Sequence, residues 1–315
     1  MGAAEKSKDP AGSGSVLASC RALVQACRPQ QWIKNLLVFF PFLFAVRVAW
    51  SLSDLGPVPG LLIRLAVVFV ALCAVASAVY LINDLSDKSS DRLHPLKSKR
   101  PIASGMVPAP VAVAAMVLLM AIGIAILAWL DLILVWVILA YVAINVAYSF
   151  GAKKIVLVDV LAVASGYVIR VAIGAAAIGV VPSPWLYAAT GAGALFIVLG
   201  RRYAEVRLAG DQASSQRPVL DRYSGPFIGQ LLTISATAAW LSYTLYTVEA
   251  NNLPENDSML LTIPLVTVGL FRYLYLLNHS DAAESPEQLI ISDLPMVLSI
   301  MAWMTASVLV LLFNG

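Results

Sequence analysis

The chain has 315 residues, 60% hydrophobic and only 12% charged. Soluble domains carry about 25% charged residues, so this composition excludes an ordinary soluble fold and points to a membrane protein. The net charge of +3 is too small to mark a nucleic-acid-binding surface, and three cysteines without metal-ligand spacing exclude a disulfide framework or a cysteine metal site.

The opening MGAAEKSKDPAGSG, residues 1–14, is polar and is expected to be a disordered tail, with no cleavable signal peptide. From residue 15 onward the chain reads as one domain. In residues 15–30, Val16, Leu17, Cys20, Leu23, Val24 and Cys27 recur at helical spacing, while Arg21, Gln25 and Arg28 take the other face. That pattern predicts a short amphipathic helix on the inner leaflet, ended by Pro29.

A membrane span needs roughly 20 mostly apolar residues. Nine stretches qualify, at about 32–50, 61–83, 107–128, 131–149, 155–179, 184–200, 226–248, 259–277 and 292–313. The expected fold is therefore all-α, a polytopic bundle of nine transmembrane helices. All Lys and Arg residues except Arg47, Arg64, Arg170 and Arg272 fall in the N-terminal segment or in loops 2–3, 4–5 and 6–7. Loop 7–8 instead carries Glu249, Glu255 and Asp257. By the positive-inside rule the N-terminus and these basic loops are cytoplasmic, at a cell membrane, and the C-terminus is outside.

Polar residues gather at that cytoplasmic rim. Gln31, Trp32, Lys34 and Asn35 cluster where span 1 enters. Trp32 suits an interface anchor, whereas Lys34 is placed to meet a phosphate. Span 2 carries the small residues Ala74, Ala76, Ser77 and Ala78, which favour close helix contact, and delivers Asn83 and Asp84 to the surface. The stretch 83–105, NDLSDKSSDRLHPLKSKRPIASG, is the densest charge cluster in the chain. On a continuing helix Asp84, Asp87 and Asp91 share one face. Three such carboxylates repel unless a cation lies between them, and Mg²⁺ is commonly held by carboxylates together with substrate phosphates. Arg92, Lys97, Lys99 and Arg100 follow, suited to phosphate oxygens the metal leaves free. Pro95 and Pro101 break the helix and shape this basic loop.

Span 4 ends at Asn145, Tyr148 and Ser149, followed by Lys153 and Lys154. Span 5 holds Asp159 about one turn in and Arg170 near mid-depth. An ionisable residue inside a span is a functional candidate by default. Arg170 is equally readable as the structural partner of a carboxylate or helix end, and Asp159 as an acid answering the helix dipole. Span 6 ends in GRRYAEVRLAGD, where Arg201, Arg202, Tyr203 and Glu205 form a second polar cluster on the same side. Two basic clusters and an acidic one on one face suit a substrate with several phosphates. Arg272, at the inner end of span 8, reads as a snorkelling anchor.

NDLSDKSSD followed by RPIASG resembles the NDxxDxxxD motif and downstream RP of the UbiA superfamily of intramembrane prenyltransferases. RPQQWIKNLLVF, YSFGAKKIVLVDVLAVASGYVIR and GRRYAEVRLA with SATA downstream extend the likeness to a phosphoribosyl-transferring branch that uses decaprenyl phosphate. Where typical members carry a second Asp-rich motif after span 6, this chain reads RRYAEVRLAGD, with only Glu205 acidic at the matching turn.

The resemblance implies a Mg²⁺-dependent enzyme with two substrates, 5-phosphoribosyl 1-diphosphate and a polyprenyl phosphate held in the bilayer, and a product that feeds arabinose into cell-wall polymers. It implies Asp84 and Asp87 as metal ligands, completed by Asn83 and Asp91. Lys97, Arg100, Lys153, Arg170, Arg201 and Arg202 fall to the phosphates, Lys34 with Gln31 and Asn35 to the lipid phosphate, and Tyr148, Tyr203 and Glu205 to ribose. Two alternatives stay open: a UbiA-type enzyme joining a polyprenyl diphosphate to an aromatic or quinone precursor, and a transporter. The small-residue stripes also permit a homo-oligomer.

Overall fold

The computed structural model describes residues 13–93, 97–209, 219–250, 253, 256–279 and 286–313. Most of the expected tail, residues 1–12, lies outside the described residues, as do Pro95, Arg217 and Glu255. Apart from two isolated bridges, Val46 to Trp50 and Ser51 to Asp54, the regular structure described is helical, as expected.

Helix α1 (Ser13–Ala26) stops before Pro29, as the sequence predicts. Its buried face overlaps the expected one only in part. Ala22 and Ala26, with Leu23 and Cys27 partly buried beside them, pack on Leu81, Ile102, Val107 and Ala112, while Val24 and Cys20 are exposed. Small side chains let α1 dock closely on protein, which competes with lying flat on lipid.

A 3₁₀ helix follows, Pro29–Phe39, continued by α2 (Phe40–Leu43). Runs of 3₁₀ longer than about four residues are uncommon and often mark strain or function. At about 2.0 Å rise per residue the 3₁₀ run covers about 22 Å, and α2 adds about 6 Å, close to the roughly 30 Å of a bilayer core. Close packing holds it: a Cβ on Gly174 would stand 2.1 Å from the Val38 carbonyl oxygen.

The long helices are α3 (Val58–Ser86), α5 (Ala109–Leu130), α6 (Leu132–Phe150), α7 (Val158–Ala177), α8 (Pro184–Ala209), α9 (Gly225–Glu249), α10 (Ile263–His279) and α12 (Leu294–Phe313). Short helices α4 (Lys88–Leu93) and α11 (Pro286–Ser292) lie between them. Caps set several starts. Asp131 accepts from the Ile133 N–H at the head of α6, and Ser224 from the Phe227 N–H at the head of α9. Six segments among the described residues are long and apolar enough to cross a bilayer: α3, α5, α6, α7, Ser258–His279 and α12. The other three expected spans, the first, sixth and seventh, fall on the 3₁₀ run, α8 and α9, which are not among these six, so the fold shows six of the nine. Large apolar side chains such as Trp129, Trp136 and Phe271 face outward, as a lipid-facing belt requires.

One buried cluster joins Val38, α3, Leu127, α6 and the C-terminal half of α7. Another joins the N-terminal half of α7 with α8, α9, α10, α11 and α12. Helix α7 therefore stitches the two halves. The small residues of α3 behave as predicted, with Ala78 and Ser77 buried. Gly123 of α5 comes so near that an added Cβ would meet Val75 at 2.5 Å.

Candidate active site

Helix α3 ends at Asp87, whose N–H donates to the Asn83 carbonyl, and the Asp91 N–H then donates to the Asp87 carbonyl at 2.8 Å. The i, i+4 pattern thus bridges α3 and α4 and keeps the acidic residues together. Each of the three has a cationic partner. Asp84, 2% exposed, accepts from Arg28 at 2.5 Å and from Arg100 at 3.2 Å. The same Arg100 nitrogen donates to the buried Asp91 at 2.7 Å. Asp87 is bonded to the Lys153 ammonium. Asn83 accepts from the Ser149 hydroxyl at 3.4 Å.

Arg28 is a member that its sequence context did not disclose. Its backbone is left-handed, φ 52, at the turn where the chain passes from α1 into the 3₁₀ run. A non-glycine residue there is strained by about 1–3 kcal/mol. Its side chain is held by Asp84 and by the Tyr80 ring, 5.0 Å away. Strain of this kind gathers at functional sites.

Residues 148–159, from the end of α6 to the start of α7, adjoin both polar clusters. Ser149 reaches Asn83 and Lys153 reaches Asp87. Tyr148 interacts electrostatically with Arg202. In the second cluster Asp159, fully buried, accepts from Arg202 at 2.9 Å and from the Tyr223 hydroxyl at 2.7 Å. Arg202 also donates to Glu205 at 2.6 Å, and Glu205 accepts from Arg201 at 3.0 Å. Burial, with the hydrogen bond to Asp159, pushes the Tyr223 hydroxyl up to about 12, so it stays a donor through the physiological range. Tyr223 and Leu157, whose N–H donates to that hydroxyl, carried no signal in the sequence.

Several expected substrate contacts are committed inside the protein. Arg202 is 2% exposed, between Asp159 and Glu205. Arg170 is buried, and its partners are the Asn35 side-chain oxygen at 2.7 Å, the Gly166 carbonyl at 2.6 Å and the Tyr141 hydroxyl at 3.2 Å. The carboxylate partner that a structural reading expects is not among them. Asn35 is fully buried, with its amide on the Cys73 sulfur at 3.3 Å. The Tyr203 hydroxyl, by contrast, donates to Asn278 at 2.8 Å in an exposed hydrogen bond. Trp32 donates to Ser77 at 3.1 Å, pinning the 3₁₀ run to α3. Arg272 is no snorkelling anchor: it forms a two-pronged pair with Asp293 at 3.0 and 2.8 Å. Half-exposed and still facing solvent-accessible space are Lys34, 5.8 Å from the Tyr167 ring, Gln31, Tyr148, Lys97, Arg100, Lys153 and Arg201.

Among the described residues, no three His, Cys, Asp or Glu side chains converge as they stand into a metal-holding group. The donor chemistry nevertheless fits a divalent cation. One Arg100 nitrogen lies within 3.2 Å of Asp84 and Asp91 together, which marks a point between two carboxylates that already holds positive charge. Hard oxygen ligands at such a point suit Mg²⁺. In the second cluster Glu205 and Asp159 are likewise paired, with guanidinium and phenol donors, and Asp159 is fully buried.

Comparison with known proteins places these features. The UbiA prenyltransferase family matches residues 32–311. Over 309 residues the chain is 34% identical to a decaprenyl-phosphate phosphoribosyltransferase of Mycolicibacterium smegmatis, covering 95% of this chain and 94% of the relative. It is 34% identical over 283 residues to the decaprenyl-phosphate phosphoribosyltransferase of Mycobacterium tuberculosis, covering 89% and 91%. Among solved structures it shares its fold with a UbiA homolog from Archaeoglobus fulgidus bound to GPP and Mg²⁺, at a TM-score of 0.68 and 17% identity over 92% of this chain and 99% of that one. A UbiA homolog from Aeropyrum pernix K1 gives a TM-score of 0.61 at 20% identity, over 88% of this chain and 99% of that one.

Proposed function

The chain belongs to the UbiA prenyltransferase family, and from that membership we propose that it transfers a 5-phosphoribosyl group from 5-phosphoribosyl 1-diphosphate to a polyprenyl phosphate, decaprenyl phosphate in particular. An oxygen of the lipid phosphate attacks carbon 1 of the ribose. The bond from that carbon to the diphosphate breaks, and diphosphate leaves with the electron pair, inverting the centre. A phosphate monoester is already ionised near neutral pH, so no general base is needed.

The observation that carries this reading is the state of the second cluster. Among the described residues of that turn, 201–209, Glu205 is the sole carboxylate, engaged by both Arg201 and Arg202, while the Arg201 side chain remains 43% exposed. A donor with a separate monophosphate suits such a cationic site better than a prenyl diphosphate requiring two metals. The 34% identity to two phosphoribosyltransferases over about nine-tenths of the chain supports it.

Asp84 and Asp87, with Asn83 and Asp91, would hold Mg²⁺, which neutralises charge on the departing diphosphate. Arg28, Arg100 and Lys153 grip diphosphate oxygens, and Arg201 grips the 5-phosphate. Arg202 positions Glu205 rather than touching substrate, and Arg170 with Asn35 fixes the 3₁₀ run that presents Lys34 and Gln31 to the lipid phosphate. An apolar cavity of about 250 Å³ between α8, α9, α10 and α12 suits part of the isoprenoid tail, with Ile197 on its wall one turn from Arg201. The 3₁₀ run, α8 and α9 complete nine crossings, with the site and the N-terminus cytoplasmic, where the ribosyl donor is made. The product is the lipid-linked precursor of arabinose for cell-wall polymers.

The test is a paired incubation of purified protein with Mg²⁺. Labelled 5-phosphoribosyl 1-diphosphate plus polyprenyl phosphate is expected to yield labelled lipid and free diphosphate. Label absent from lipid there, with turnover of a prenyl diphosphate and an aromatic acid instead, would replace the proposal by the quinone-type reading.

A further inference from the structure

The acidic triad is filled with the protein's own cations. Arg28 and Arg100 sit on Asp84, Arg100 spans to Asp91, and Lys153 sits on Asp87. The aspartates are largely enclosed, with Asp84 and Asp91 side chains 3% and 6% exposed. Their partners reach in from the rim: Arg28 and Arg100 are each 28% exposed and Lys153 is 20% exposed. All three arrive from outside the acidic helices, Arg28 from the α1 turn, Arg100 from the loop after α4, and Lys153 from the loop after α6. A divalent cation and Arg100 cannot occupy the point between Asp84 and Asp91 at once.

We propose that Arg28, Arg100 and Lys153 are exchangeable counter-ions that exclude a divalent metal from the triad until a diphosphate arrives to accept them. This inference rests on the function proposed above. A metal entering alone must displace these cations into solvent with no new anionic partner. A metal entering with a diphosphate exchanges partners without loss: the aspartates take the metal, and the freed guanidinium and ammonium groups take phosphate oxygens. Binding of metal and diphosphate is then positively coupled, and coupling acts reciprocally on both ligands. The arrangement keeps the site from holding a bare metal, and it makes Arg100 a competitor of the metal as well as a ligand of the substrate.

The consequence runs against the ordinary expectation that deleting a substrate-binding arginine only weakens a site. Mn²⁺ binding to detergent-solubilised protein, followed by the electron paramagnetic resonance of free Mn²⁺, reads it without turnover. In the absence of diphosphate, Arg100→Gln is expected to bind Mn²⁺ about 5- to 150-fold more tightly than the parent, the usual range of a coupling between sites. Lys153→Gln, which frees Asp87, should shift affinity in the same direction, so the test survives if one variant fails to fold. Lys154→Gln, an exposed neighbour, should leave Mn²⁺ affinity within about twofold of the parent and controls for net charge. Affinity in Arg100→Gln and Lys153→Gln equal to or weaker than the parent overturns the exchange. If the parent transfers phosphoribosyl groups while those variants show no gain, the exchange alone fails. If no Mn²⁺ binds to any form, even with inorganic diphosphate present, the metal-dependent reading fails with it.

Discussion

Arg202→Gln tests whether the second cluster is scaffold or substrate site. In the parent, Arg202 satisfies two carboxylates, at 2.9 Å to Asp159 and 2.6 Å to Glu205, and all three side chains are enclosed. Without the guanidinium, Asp159 keeps the Tyr223 hydroxyl and Glu205 keeps Arg201, but each loses its charge-assisted bond to Arg202. Removing one partner of a buried pair costs about 3–5 kcal/mol, since a charge is left uncompensated in a poorly solvated site. Arg201→Gln breaks a pair whose basic side chain is 43% exposed, which costs about 0–1 kcal/mol. The double change Asp159→Asn with Arg202→Gln should lose less than the two single losses together, by about 0.5–3 kcal/mol. Reversible denaturant titration in mixed micelles, followed by circular dichroism, gives the free energies. Arg202→Gln within about 1 kcal/mol of the parent, or strictly additive losses, would refute the assignment of Arg202 as a structural cation.

Other outcomes follow from the same geometry. Asp84→Ala and Asp87→Ala should each abolish transfer while retaining the parent's helical content, and parental rates in either would remove the metal assignment. Gly174→Val places side-chain atoms where even a Cβ meets the Val38 carbonyl oxygen at 2.1 Å, so it should destabilise the protein by about 1–3 kcal/mol and displace the 3₁₀ run; an unchanged thermal midpoint contradicts that close approach. The hydrogen bond from Arg272 holds the Asp293 carboxyl below its ordinary value. With the folded value depressed, the contribution is full above the ordinary carboxylate range and is lost as pH falls through the folded value. Melting profiles from neutral to acid pH should therefore show an acid-side loss that shrinks in Asp293→Asn, and identical profiles would rule the contribution out.

Much of this site is legible in the chain because its signals are local. Asp84, Asp87 and Asp91 lie within two turns, so helical spacing alone groups them. The basic rim is read from loop charge. The apolar runs predict seven of the helices to within about four residues, but overrun the first segment, which ends at Leu43, and stop short of the end of α8 at Ala209. What the chain conceals depends on long-range pairing or on an uncommon backbone. Arg28 looks like one more cytoplasmic charge until a left-handed turn aims it at Asp84, 56 residues away. Arg202 and Arg170 look like phosphate ligands by residue type, but burial against partners 43 and 135 residues distant commits them inward. Arg272 finds Asp293 only when α10 meets the head of α12. The 3₁₀ form of residues 29–39 has no periodic signature, since their apolar content is that of an ordinary span, and the close approach of Gly174 to Val38 is a long-range contact. Helix α1 carries an amphipathic pattern that fits lipid or protein equally, and only the fold shows Ala22 and Ala26 against protein with Val24 left exposed.

The central claim is that the bond broken lies between ribose and diphosphate and that the lipid phosphate keeps its own oxygens. A donor carrying heavy oxygen in the bridge between carbon 1 and the diphosphate tests this directly, with mass spectrometry of both products after one turnover. All of the heavy oxygen is expected in released diphosphate, with a lipid product heavier by one unlabelled phosphoribosyl group. Heavy oxygen retained in the lipid, or diphosphate drawn from the lipid itself, would contradict it.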